Sequence, residues 1–306
     1  MKIGLVTAIL EHCNFEQMID TVSKLGFECI EVACWPAGKA ERRYAGVSHI
    51  DVDRVIADAA YAGYVLEYAK THDVEISALA YYPNTMDGDP EKRQENIAHL
   101  KKVIQACAIL GINLVTTFIG RDQNKTVEEN LKLVEELWPP ILTYAEGLGV
   151  NVAVENCPML FASDQWPGGQ NLMTTPAIWR SVFALLPWKN LGINYDPSHF
   201  VWQMMDYIAP LYEFRDRIFH VHFKDIKVYR DRLNEVGIMA YPLEYMSPKL
   251  PGLGDVEWGK FISALTDVGY DGCCCLEVED RAFEECEDRI VKSLQLSMRY
   301  LKQYVI

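Results

Sequence analysis

The chain has 306 residues and a formal net charge of −14, from 29 basic and 43 acidic side chains. A nucleic-acid binder needs basic surface to meet phosphate, so this balance argues against that role. No stretch approaches the roughly 18 apolar residues that span a bilayer, and the opening MKIGLVTAILEHCNFEQ lacks the pattern of a secretory leader; a cytoplasmic protein without a membrane partner is expected.

The first apolar run, 3–8, reads as a strand and is followed by helical period over 14–25, with Gly26 placed as a left-handed C-cap. A strand at 29–35, a helix at 52–71 and a strand at 76–82 come next. The helix at 91–110 ends on Gly111, ahead of a strand at 114–120. Thr126 then stands as an N-cap before Val127, Glu128 and Glu129, whose acids suit the positive end of the helix predicted over 127–147. Gly149 closes that helix, and 150–157 is the fifth strand. Pro176 opens a further helix, where its missing N–H costs little. Strands follow at 191–195, 218–223 and 272–278, and the last helix is predicted at 288–304.

Alternation of short β-branched runs with helical stretches calls for parallel strands, because each parallel crossover needs a connection of this length. Eight such units make an α/β fold, a single (β/α)8 TIM barrel over residues 1–306, and no GxGxxG follows the first strand to suggest an open dinucleotide-binding sheet. Two connections are unusually long, 158–175 and 226–256. Both fall on the face where barrels carry their chemistry, and aromatics such as Tyr229, Tyr241 and Tyr245 favour an ordered wall over disorder. The nine cysteines include the consecutive Cys273, Cys274 and Cys275, a poor geometry for mutual pairing, so free thiols in a reducing compartment are expected.

Four strand ends carry ionisable groups after apolar runs: Glu155, Asp196, His222 and Glu277. A charge there is rarely buried alone, and in a barrel these ends neighbour one another on one rim. Three carboxylates meeting without a cation would repel strongly. One divalent metal held by Glu155, Asp196, His222 and Glu277 resolves the conflict. Carboxylate and imidazole ligands suit Mn²⁺, Mg²⁺ or Co²⁺ before Zn²⁺. Strand parity puts His220, His222 and Lys224 on one face, with His222 nearer the rim; the plain reading of His220 is a hydrogen-bonded core histidine. Lys224 reads either as a contact for substrate oxygen or phosphate or as a rim ion pair with Asp225 or Glu279. His12 and Trp35, after the first and second strands, are candidate substrate contacts, with surface or packing roles as the alternatives. Trp166, Tyr81 and Tyr82 share that ambiguity.

The segments VAVENCP, NYDPSHF, HVHFKD, PGLGDVEWGKF and GYDG…LEVED resemble the sugar phosphate isomerase/epimerase superfamily of xylose-isomerase-like TIM barrels, over nearly the whole chain. The resemblance implies that Glu155, Asp196, His222 and Glu277 bind the metal, that Glu155 and Glu277 also form the acid/base pair, and that His199 contacts substrate oxygen. The ketose 3-epimerases of the superfamily carry an arginine six residues after the metal histidine. Here that position is Val228, with Arg230 two residues on as the candidate replacement, and their further acid falls on Phe161. Nucleases of the superfamily need extra histidines at earlier strand ends, and the fourth strand, ending Thr116, Thr117, Phe118, Ile119 and Gly120, has none.

The implied reaction is isomerisation or epimerisation of a sugar or sugar phosphate: proton abstraction beside a carbonyl, an enediolate stabilised by the metal, and return of the proton to the same or the adjacent carbon. A dehydratase of an inosose or related keto-polyol is the alternative on the same site. A non-catalytic sugar-binding barrel would bind without hydrogen exchange. Relatives of this kind are often dimers or tetramers, so a homodimer or homotetramer is a further expectation.

Overall fold

The computed structural model describes residues 1–36, 45–160 and 168–305; Phe161 and Trp166 lie outside the described residues. Among the described residues ten strands form in chain order: Lys2–Val6 (β1), Cys29–Ala33 (β2), Glu75–Ala80 (β3), Leu114–Thr117 (β4), Asn151–Glu155 (β5), Leu191–Tyr195 (β6), Ile218–Phe223 (β7), Asp225–Val228 (β8), Met246–Lys249 (β9) and Cys273–Leu276 (β10). Eight of them close in the order β1-β10-β7-β6-β5-β4-β3-β2, all parallel, which is the expected (β/α)8 barrel. The remaining pair, β8 and β9, makes a separate antiparallel hairpin.

Six of the expected strands are trimmed at their C-terminal ends, while those at 191–195 and 218–223 form as expected. The chain leaves the ladder at the rim: residues Thr7–Leu10 coil into a 3-10 turn directly after β1, and β4 stops at Thr117. Apolar sequence continues past these points because the rim is packed under loops. Two predicted helices are each divided. Asp58 leaves the helical conformation and accepts hydrogen bonds from the backbone N–H groups of Ala60 and Tyr61, so 52–71 becomes Val52–Ala57 and Ala59–Thr71. Pro139 and Pro140 lack the N–H needed to carry on from Val127–Leu137, and a new helix, Pro139–Gly147, starts there. Elsewhere the sequence signals act as read. Asn14 and Thr126 both form reciprocal capping boxes, and Gly26 and Gly111 adopt the left-handed C-cap.

The barrel interior is filled, not hollow. A Cβ on Gly4 would stand 2.6 Å from Cys29 Sγ and 2.7 Å from Cys275 Sγ, so glycine is what lets these two thiols share the axis. Phe219 packs with Ala78, Leu114 and Ala153 at the opposite end from the catalytic rim, where small residues make room for its ring. All nine cysteines are free. Buried indoles in the helical layer find acceptors: Trp138 donates to the Ile119 carbonyl and Trp179 to that of Met173. Among the described residues, no helix is long and apolar enough to cross a membrane.

The long connection 226–256 is mostly regular structure. The β8–β9 hairpin and the helix Arg230–Val236 enclose a small core of Trp202, Ile226, Val228 and Tyr245. This satellite core is tied to the barrel through Trp202, six residues after Asp196.

Candidate metal centre

Four strand ends deliver Glu155, Asp196, His222 and Glu277 to one place, with a donor atom from each within 4.8 Å of every other. Their placement is enforced by the backbone around them. Asn156 accepts a hydrogen bond from Asp196 N and donates to Asp196 O, both at 2.8 Å, locking the end of β5 to the end of β6. Asn171 donates to the carbonyls of Glu155 and Cys157, which pins the return of the loop after β5. Asp196 spends Oδ1 on the N–H of Ser198, leaving Oδ2 turned inward.

Glu155 Oε1, Asp196 Oδ2 and His222 Nδ1 are buried, and no hydrogen bond satisfies them. Buried polar atoms of this kind are expensive unless a ligand engages them. Three carboxylates and one imidazole, with no thiolate, form a donor set that fits a single hard or borderline dication. The fit holds although one cation of the chain already reaches the cluster. Lys224 Nζ lies 2.7 Å from Glu277 Oε2, 3.0 Å from Asp196 Oδ2, 3.4 Å from Glu279 Oε2 and 3.8 Å from Glu155 Oε1. One ammonium therefore faces four carboxylates, and negative charge remains in excess.

The electrostatics separate the two glutamates. Burial alone would raise Glu155, but His199, His222 and the Lys224 ammonium outweigh it and hold the carboxyl down at about 2. For Glu277 burial prevails; the neighbouring Glu155 and Glu279 add to it, Lys224 opposes it, and the carboxyl is raised. Asp196 also pays for burial, yet Lys224 and His199 keep it ionised well below the usual range.

His199 Nε2 stands 3.3 Å from Asp196 Oδ2 and 3.5 Å from Glu155 Oε1. The Trp202 indole N–H donates to its Nδ1 at 3.3 Å, so in the neutral ring the proton sits on Nε2 and faces the centre. Of the remaining residues expected to touch substrate, Lys224 is at the centre. His12 is exposed on the turn after the first strand. Trp35 is half-buried, edge-on to Tyr81 with ring centroids 4.9 Å apart. Arg230 is exposed, and its Nη1 reaches Met204 Sδ at 3.5 Å. The alternative ion pair of Lys224 with Asp225 does not form. Asp225 is turned the other way, accepting from the N–H groups of Ile226, Gly252, Gly254 and Val256 and from the Trp258 indole.

Beneath the carboxylates lies a polar layer of which sequence reasoning named His220 and Tyr82 but missed Glu31 and Asn194. Glu31, fully buried on β2, places Oε2 2.8 Å from His222 Nε2 and 3.3 Å from His220 Nδ1. Tyr82 donates to Glu31 Oε1 at 2.5 Å. Asn194 donates to the Tyr82 hydroxyl at 3.0 Å and accepts from His220 Nδ1 at 3.1 Å. His220 is thus a hydrogen-bonded core histidine; burial pushes its imidazole down to about 4, against the pull of Glu31. An acid in the middle of the apolar run CIEVAC was the available signal for this layer.

The barrel agrees with what the chain is related to. It belongs to the xylose isomerase-like TIM barrel family, whose model matches residues 19–304. An uncharacterized protein, YfiH, of Bacillus subtilis (strain 168) is 26% identical, covering 92% of this chain and 93% of its own length. An inosose isomerase of Bacillus velezensis is 22% identical over 88% of this chain and 85% of its own. In structure, the IolI protein crystallised with a binding zinc atom superposes with a TM-score of 0.73 at 19% identity, over 99% of both chains. Epimerases, isomerases and dehydratases all occur among the similar proteins.

Proposed function

We propose that this chain is a divalent-metal-dependent isomerase or epimerase of a sugar or related cyclic polyol, acting by proton transfer at the carbon beside a carbonyl. The reading is carried by one observation: the donor atoms of Glu155, Asp196, His222 and Glu277 converge within 4.8 Å. Those four residues would hold the metal, which when bound supplies Lewis-acid polarisation of the carbonyl.

The protein's own groups then divide the proton chemistry. Glu155 and Glu277 are the pair suited to take a proton from carbon and to return one, in either order. His199, with its proton on Nε2, donates to a substrate oxygen beside Asp196. Lys224 offers a second cationic contact for oxygen that acquires charge. A proton returned to the opposite face of the same carbon gives epimerisation; one returned to the neighbouring carbon gives isomerisation. The likeness to an inosose isomerase supports a cyclic polyol ketone among the substrates to try first.

A second reading uses the same groups for elimination of water from an inosose, and the dehydratases among the similar proteins favour it. One experiment tests both. The Mn²⁺-supplemented protein is incubated in D₂O with ketoses, their phosphates and inososes, and products are followed by NMR. Deuterium at a carbon next to the carbonyl with unchanged composition supports the first reading; a dehydrated product supports the second. Glu155→Gln and Glu277→Gln should each abolish deuterium incorporation, and exchange retained in both rejects the assigned roles.

A further inference from the structure

We infer that Glu31 is the positioning residue that presents His222 to the metal, an inference that rests on the metal-dependent reading above. A histidine with one ring nitrogen in a metal centre needs its other N–H held by an acceptor, which fixes both tautomer and ring angle. His222 has its two nitrogens on opposite sides of such a boundary. Nδ1 faces Glu277 Oε2 at 3.2 Å and Glu155 Oε1 at 3.6 Å, without a hydrogen bond. Nε2 faces Glu31 Oε2 at 2.8 Å.

Three groups reach Nε2; the Tyr82 hydroxyl, 3.5 Å away, gives its proton to Glu31 Oε1, so the other two compete to set the proton there. Asn194 Nδ2 is 2.9 Å away and would need a lone pair there. Glu31, as a carboxylate, only accepts, and so needs an N–H there. Asn194 Nδ2 already has the Tyr82 hydroxyl as its acceptor, at 3.0 Å. Glu31 has no other way to satisfy Oε2 at comparable distance, since His220 Nδ1 is farther, at 3.3 Å, and is shared with Asn194 Oδ1. The proton on Nε2 is therefore the one held in place, and Nδ1, the nitrogen that faces the carboxylates, is left as the one able to give a lone pair to a metal. Glu31 is itself immobilised: Tyr82 donates to its other oxygen, and the residue is 0% exposed. The contact spans the barrel, joining β2 to β7 across 191 positions of sequence.

Calorimetric titration of the metal-free protein with Mn²⁺ tests the role, comparing wild type with Glu31→Gln. The variant keeps size and burial but cannot accept from both His222 and Tyr82, and it is expected to bind Mn²⁺ roughly 10–100-fold more weakly. A folded Glu31→Gln protein with wild-type affinity overturns the inference. A second measurement needs no variant of Glu31: in ¹⁵N-histidine-labelled wild type loaded with Zn²⁺, the His222 ring, assigned by its loss in His222→Gln, should show a protonated Nε2 and an unprotonated Nδ1. The reverse tautomer overturns the inference even where Glu31→Gln fails to fold. A wild-type protein that takes up no metal is a different result, and it removes the metal-dependent reading itself.

Discussion

Lys224 Nζ stands 3.0 Å from Asp196 Oδ2, inside the ring of carboxylates and almost entirely out of solvent. An ammonium there is the chain's own partial answer to the charge that Glu155, Asp196, Glu277 and Glu279 bring together. It also competes with a dication for the same oxygens. Lys224→Met removes the cation and leaves the carboxylates facing one another, so the metal-free variant should lose about 3–5 kcal/mol of stability. The metal then becomes the main source of compensation, and Mn²⁺ should raise the melting temperature more in Lys224→Met than in wild type. Urea unfolding in the presence of a chelator, and thermal unfolding with and without Mn²⁺, read both effects. Equal stability of the two metal-free proteins would show that Lys224 does not neutralise the cluster.

Asp225 governs the loop that follows β8. Its carboxylate takes four backbone N–H groups and one indole N–H, and Gly254 packs so closely that a Cβ there would collide with Asp225 Oδ1. The PGLGDVEWG segment is therefore, in this chain, the seat of a buried carboxylate. Asp225→Asn replaces one acceptor oxygen by a donor that meets N–H groups. It should cost about 2–3 kcal/mol and open 226–256 to protease before the barrel unfolds. Gly254→Ala should produce the same early cleavage. Limited proteolysis with mass mapping checks the order of events.

The barrel was legible because each strand and helix carries its own local signal: apolar period, cap residues, and glycines at left-handed positions. Boundaries were less so, since the residues beyond each rim stay apolar where loops cover them, and nothing in that pattern says where the ladder stops. Helix breaks at Asp58 and at Pro139 were written in residues that either cap a new helix or cannot donate. The candidate site was legible only in part. Glu155, Asp196, His222 and Glu277 stood out as charges at the ends of apolar runs. Glu31 did not, because it lies within a strand that otherwise reads as core. Its partner is 191 residues away, and contact across a closed barrel leaves no spacing in the sequence. The position of Lys224 was ambiguous for a related reason: parity gives the face of a strand, but not which of several acids a four-carbon stem reaches.

His199 is oriented from behind by Trp202, whose indole N–H accounts for Nδ1. With its proton on Nε2 the ring would serve as a donor to substrate and not as a metal ligand, in the reading proposed above. His199→Ala should leave Mn²⁺ affinity close to wild type while lowering kcat on the order of 10²-fold, the usual loss when one positioned donor is removed. Trp202→Phe should lower kcat in the same direction but less, because the ring is kept and only its tautomer is released. Parallel losses of metal affinity and turnover in His199→Ala would instead make it a ligand. Calorimetry with Mn²⁺ and initial rates on the substrate found by the D₂O screen separate the two.

His220 sets an acid limit on the fold. Burial holds its imidazole at about 4 in the folded chain, although Glu31 pulls the other way. The unfolded value is about 6.5. Between those two values the unfolded chain binds a proton that the folded chain refuses, so unfolding gains as pH falls and stability is lost. The span corresponds to about 3 kcal/mol for this residue. Glu155, held down at about 2, acts in the same direction but only below the unfolded carboxyl value near 4.5, so it adds little in the upper part of the window. His199 and His222, whose imidazoles are raised, against burial, by the surrounding carboxylates, act in the opposite direction over the same window. The test is therefore the difference: from pH 7 to pH 5 the urea midpoint of wild type should change less favourably than that of His220→Gln, where the amide still donates to Asn194 and cannot be protonated. Identical pH slopes in the two proteins would mean that His220 does not carry the acid sensitivity, and that the protonation it resists in the folded state is tolerated by the network of Glu31 and Asn194.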